Sequence, residues 1–225
     1  MSLFTQEGFL FLLRWIHFLA GITWIGILYY LNFVQTPYFA TDLGGQARSA
    51  MMRGLVPNAL WWFRWGAMVT FLTGWLIVIT HMVTGTGSMP YYALILTGGT
   101  LGSFMWFNVW FVIIPRQRLA IASAEAVAAG VPANPEAAKQ APFAGRASRT
   151  NTLFSIPMLF FMGAARHLTI VNEEMPKYGA FFAIMLVLVV LFETNIFKGT
   201  AATQKPLATV AGTIARRLPS AIFSA

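Results

Sequence analysis

Five stretches of this chain, residues 8–30, 58–83, 91–114, 152–171 and 178–197, carry at most one Lys, Arg, Asp or Glu each. A helix needs about 20 apolar residues to cross a bilayer. Within hydrocarbon, every backbone N–H and C=O must be satisfied inside the segment, which leaves helices as the fold for isolated apolar runs of this length. The expected fold class is therefore an all-α integral membrane protein. Residues 1–200 are read as a bundle of five transmembrane helices and residues 201–225 as a basic tail, with the option of an amphipathic surface helix in TVAGTIARRLPSAIFSA. Pro37, Pro57, Pro90, Pro115 and Pro176 fall at the edges of spans, where a missing backbone donor is tolerated. Pro157 lies in the first turns of the fourth span, at a start or a kink. The first span is too long for a cleaved leader and lacks a small-residue cleavage site after it, so it is kept in the mature protein.

Composition agrees, with 57% apolar and only 10% charged residues. Cysteine is absent, which excludes disulfides, thiolate metal sites and covalent CxxCH haem attachment. The net charge of +8 does not argue for nucleic acid, because the basic residues flank the apolar runs. Arg48, Arg53, Arg116, Arg118, Lys139, Arg146, Arg149, Lys198, Lys205, Arg216 and Arg217 collect on one side; Arg14, Arg166 and Lys177 lie on the other, beside Glu7, Glu173 and Glu174. The excess of Lys and Arg predicts a periplasmic N-terminus and a cytoplasmic C-terminus in a bacterial inner membrane. Between the third and fourth spans, RQRLAIASAEAVAAG reads as a helical continuation of the third span and VPANPEAAKQAPFAGRAS as a loop. No convincing internal repeat is present.

His17, His81 and His167 each fall within or at the end of an apolar run, and an ionisable group at bilayer depth is a functional-site hypothesis by default. The topology puts all three in the outer half of the membrane. At 1.5 Å per residue, His17 lies about 13 Å and His167 about 7 Å from the outer ends of their helices, close enough for one haem to bridge two of the three. His17, Gly21, Trp24 and Leu28 share one helical stripe, a flat recess for a planar macrocycle. The alternative is plain helix packing, with His17 bonding a carbonyl and His81 a solvated helix end. The three histidines are thus candidate haem ligands, and Arg14 and Arg166 at the same face are candidate propionate contacts.

A second polar set lies toward the opposite ends of the spans: Arg64, Asn108, Glu193 and Asn195. An Arg64–Glu193 ion pair would relieve two costly charges, and this structural role is preferred to a quinone-headgroup or proton-entry site. Trp61, Trp62, Trp65, Trp106 and Trp110 crowd the same end and read as an interfacial aromatic belt. Gly21, Gly26, Gly98, Gly99 and Gly102 suggest close helix packing.

The segments RWIHFLAGITWIG, PNALWWFRWGAMVTFLTGW, MWFNVWFVIIPRQ and SRTNTLFSIPMLFFM, spread over residues 11 to 167, resemble the membrane domain of bacterial cytochrome-linked urate oxidase, the PuuD type of urate hydroxylase. The histidine and WxG of the first span bear a weaker similarity to haem-b membrane proteins. The resemblance implies urate oxidation, with electrons passed to a periplasmic cytochrome c domain, yet this chain has no CxxCH.

Two functions follow. The first is an accessory or electron-transfer subunit, not itself an enzyme, of a larger bioenergetic complex. That complex is respiratory, or a photosynthetic reaction centre with its antenna, with haem b as a candidate cofactor and quinone, pigment or lipid as candidate contacts. The second is a haem-b urate hydroxylase serving a separate periplasmic cytochrome c. Transport is disfavoured, because broken helices with midplane charges are not evident.

Overall fold

The computed structural model describes residues 4–168 and 178–199, all of whose regular elements are helical. The basic tail expected at 201–225 lies outside the described residues. Helix α1 (Gln6–Tyr29) starts where Thr5 Oγ1 accepts from the Gly8 N–H. It continues through a π-helical turn (Tyr30–Gln35) into the short α2 (Thr36–Tyr38). An amphipathic α3 (Asp42–Arg53), capped by Thr41, leads into α4 (Leu55–Thr84). Helix α5 (Met89–Phe107), a second π-helical turn (Asn108–Ile113) and α6 (Ile114–Ala128) form one continuous rod. Helices α7 (Pro135–His167) and α8 (Tyr178–Lys198) complete the bundle.

Both π-helical turns precede a proline, Pro37 and Pro115. A proline ring clashes with the carbonyl four residues back and supplies no N–H, so the widened turn lets each rod pass its proline without breaking.

Four helical stretches are long and apolar enough to cross a membrane: Gln6–Tyr38, Leu55–Thr84, Met89–Ala128 and Gly179–Lys198. The chain is a membrane protein. The expected fourth span, 152–171, falls on the second half of α7 as far as that segment is described; α7 misses the composition because Asn151 on one side and Arg166 and His167 on the other bracket a short apolar run. The first half of α7 corrects a sequence expectation, for the segment read as a loop is helical from Pro135 onward. Asn134 Oδ1 accepts from the Glu136 N–H and Pro135 stands at the helix start, a strong initiation signal that outweighs the internal Pro142 and Pro157. The expected extension of the third span past Arg116 is present. At 1.5 Å per residue the 40-residue rod is roughly 60 Å long, about twice a bilayer's hydrocarbon thickness. Helix α6 and the first half of α7 are therefore the part of that rod and its neighbour that the hydrocarbon thickness leaves over.

Packing divides the bundle into two antiparallel pairs, α1 with α4 and α5 with α7, with α8 laid against the second. The core joining them includes Trp24, Leu28, Phe63, Met105, Val109 and Ile196, each almost fully buried. Contact between the pairs along α4 and α5 is thinner and runs as a ladder. Trp65 meets Trp110 edge-on at 5.7 Å, Phe71 stacks on Trp106 at 4.2 Å, and Trp75 Nε1 donates to Ser103 Oγ at 3.2 Å. The ladder ends where His81 meets the Tyr91 ring at 5.3 Å. Trp61 and Trp62 are exposed as a belt would require, whereas Trp106 and Trp110 pack against the core.

Candidate functional site

The site grows from the register of α1 against α4. A Cβ on Gly66 would lie 3.2 Å from the Ala20 carbonyl and the Trp24 amide, so glycine is what lets the two backbones touch. From that contact the pairs climb in step: Gly21 opposite Thr70, His17 opposite Thr73 and Gly74, Arg14 opposite His81. The stripe of His17, Gly21, Trp24 and Leu28 is therefore not an open recess. Helix α4 fills it, and Trp24 and Leu28 are buried there.

His17 has a defined tautomer. The Thr73 hydroxyl donates to the Val69 carbonyl at 2.6 Å, so its oxygen is left to accept from His17 Nδ1–H at 3.1 Å. Among the described residues nothing then bonds to Nε2. This is the arrangement in which a histidine is pre-oriented to ligate through Nε2, its other nitrogen held by a supporting acceptor.

His81 is held at both ends. A guanidinium only donates, so His81 Nε2 accepts from Arg14 Nη2 at 3.0 Å. Nδ1 then carries the proton and donates to Thr86 Oγ1 at 2.7 Å. The local fold explains this contact. Gly85 takes a left-handed conformation (φ 63°), ending α4 and turning the chain so that the Thr86 N–H reaches the His81 carbonyl at 3.1 Å. Buried and doubly bonded, His81 is not the solvated helix end considered from sequence.

Arg166 lies within electrostatic reach of both His81 and Tyr91. His167, in the last turn of α7, is exposed. Among the described residues the one ion pair is Lys139–Glu136 at 3.7 Å, far from this end. Glu7, exposed, lies two turns from Arg14, about 10 Å along the helix. Arg14, Arg166, His81 and Tyr91 thus form a cationic cluster with no paired carboxylate among the described residues.

A haem ligated by His81 would have to displace Arg14 from that ring. His81 Nε2, the ligating atom, is occupied by Arg14, and Arg14 is turned toward that ring instead of standing free for a propionate. Among the described residues, His17 combines a fixed tautomer with an Nε2 that has no partner.

The opposite polar set is also rearranged. Arg64 and Glu193 do not form the expected ion pair. Arg64 lies 5.3 Å from the ring centres of both Trp65 and Trp110, where cation–π attraction replaces a carboxylate. Glu193 Oε1 instead accepts from Asn108 Nδ2 at 2.8 Å. That same nitrogen donates to Asn151 Oδ1 at 2.9 Å, and Asn151 Nδ2 donates to the Met105 carbonyl at 2.9 Å. The carboxyl group at depth thus meets a single amide donor rather than a cation. Sequence reasoning overlooked Asn151, Thr73, Gly74 and Thr86. The visible signal was the run of small and hydroxyl residues in TFLTGW, since a glycine beside a threonine leaves room for an imidazole.

A family model described as urate oxidase N-terminal matches residues 89–218, more than half of the chain. No curated protein and no solved structure gives a significant match.

Proposed function

The chain belongs to the urate oxidase N-terminal family, and from that membership we propose that it is an accessory or electron-transfer subunit of a larger bioenergetic complex. The complex is placed in the bacterial inner membrane, with the His81 end facing the periplasm as the distribution of Lys and Arg implies. The partner is a respiratory assembly or a photosynthetic reaction centre with its antenna. The observation that carries this reading is His17. Its fixed Nδ1–H···Oγ1 bond to Thr73 leaves one ligating nitrogen with no partner among the described residues, while His81 is already committed to Arg14 and Thr86. One axial ligand from this chain calls for a second from a partner helix. A haem b there would supply one-electron transfer at a potential set by its axial ligands and their hydrogen bonds. Thr73 fixes the imidazole's orientation and Gly74 gives it room.

The second reading, a urate hydroxylase with its cytochrome c on a separate chain, is favoured by the cationic cluster. Arg166, the Tyr91 hydroxyl and the N–H groups that Arg14 does not give to His81 offer donors suited to a planar oxyanion at the same end as His17.

Reduced-minus-oxidised absorption of the gently solubilised protein, with mass spectrometry of everything that copurifies, tests both. A haem b signal confined to the intact complex and lost in His17→Ala supports the subunit reading. Urate-dependent reduction of added cytochrome c by the isolated chain supports the second. A His17→Ala complex with full haem content overturns the ligand assignment.

A further inference from the structure

At the end opposite His81, three guanidiniums gather where α6, α7 and α8 meet. Arg116 and Arg146 both approach the Phe143 ring, with their central carbons 5.5 and 4.5 Å from its centre. Arg149, half-buried, lies back along α7 with Nη1 close to Gly145 and within electrostatic reach of Arg146.

These side chains are held in place. Arg116 Nε donates to Gln140 Oε1 at 3.0 Å and its Nη1 to the Val112 carbonyl at 3.0 Å. Arg146 Nε donates to the Ile196 carbonyl at 2.7 Å, tying α7 to the last turn of α8. Among the described residues, both Arg146 terminal nitrogens and the Arg116 Nη2 have no acceptor. Three like charges in a half-buried place repel one another, yet no carboxylate among the described residues pairs with them; Glu136 is taken by Lys139 and Gln140. From this cluster the face of α8 that carries Phe197 runs into the membrane region as exposed apolar surface, through Val190 and Leu186. Phe143 contacts Phe197 at 6.2 Å, so the cations and that apolar face are continuous.

We propose that Arg116, Arg146 and Arg149 form a binding site for a phosphate group, supplied by the headgroup of an anionic phospholipid whose acyl chains lie along α8. Planar guanidiniums with spare N–H donors match phosphate oxygens. The site is independent of the reading of the His81 end.

The test uses the full chain in mild detergent, titrated separately with phosphatidylglycerol and phosphatidylcholine and read by native mass spectrometry. Wild type retains phosphatidylglycerol preferentially, and each arginine removed weakens that retention about fivefold. Arg149→Gln is the decisive single variant because Arg149 caps no carbonyl; Arg146→Gln/Arg149→Gln extends the series. Arg118→Gln, removing an exposed neighbouring charge, leaves retention unchanged. Inorganic phosphate distinguishes the sources: lipid retained in its excess supports the headgroup, and lipid displaced by it assigns the same cluster to free phosphate and overturns the lipid. Equal retention of the two lipids by wild type, or of phosphatidylglycerol by wild type and Arg149→Gln, overturns the site.

Discussion

Arg14 Nη2 and His81 Nε2 meet at 3.0 Å across the α1–α4 interface, a hydrogen bond between two residues that each count as a cation when protonated. The bond exists only while the imidazole is neutral, because an imidazolium has no acceptor. Acidification is expected to break it and drive the Arg14 side chain away. The histidine ¹⁵N resonances report this directly: in wild type at neutral pH, His81 Nε2 reads as an unprotonated acceptor. His81→Ala should lower unfolding stability by about 1 kcal/mol, a typical value for a polar contact between membrane helices. No change in either measurement would remove the contact from consideration.

The register of α1 on α4 depends on Gly66. Gly66→Ala places a methyl 3.2 Å from two backbone atoms that cannot swing aside, and a cost of about 1–3 kcal/mol is expected. Gly99→Ala, where nothing lies within 4 Å, should be neutral. Thermal unfolding in detergent compares the two, and equal stability would contradict the described α1–α4 contact.

Gly74→Ala has a narrower effect. The new methyl would come within 2.9 Å of His17 Cε1, so the ring must move and the Thr73 bond must lengthen. Retained helicity is expected, together with a changed His17 tautomer signal by NMR. If haem is present in the complex, its absorption bands should shift as well.

Glu193 distinguishes a network built on acceptors from one built on charge. Glu193→Gln keeps an oxygen for Asn108 Nδ2 and should be tolerated, while Glu193→Leu leaves that donor short of a partner. Asn151→Leu removes both the acceptor for Asn108 and the donor to the Met105 carbonyl, and should cost about 1–2 kcal/mol. Denaturant unfolding ranks the three variants. A destabilised Glu193→Gln would show that the charge itself matters.

Sequence and structure agree where the signal is one-dimensional. The apolar runs of α1, α4, α5 and α8 are continuous in the chain, so hydropathy finds them. The first half of α7 escaped because its alanines, glycine and Pro142 resemble a linker, and only the Asn134–Pro135 start announces a helix. Partner choice is another matter. Arg64 and Glu193 lie at depths that suit an ion pair, but depth does not fix azimuth, and helix rotation gives Arg64 to two tryptophans and Glu193 to Asn108. The same reasoning explains His81: its position at a helix end was legible, whereas the turn at Gly85 that folds Thr86 over it was not.

The division into antiparallel pairs bears on the order in which this protein is made. Helices α1 and α4 find their whole mutual interface within the first 84 residues, so that hairpin can close while α5 is still being synthesised. The family match begins at Met89, the first residue of α5, on the far side of the thin ladder between the pairs. Assembly then becomes the docking of two preformed hairpins, and the aromatic rungs from Trp65–Trp110 to His81–Tyr91 form in that step together with the core that joins the pairs. A lesion on those rungs would leave each hairpin's own interface intact and weaken only the joint between them.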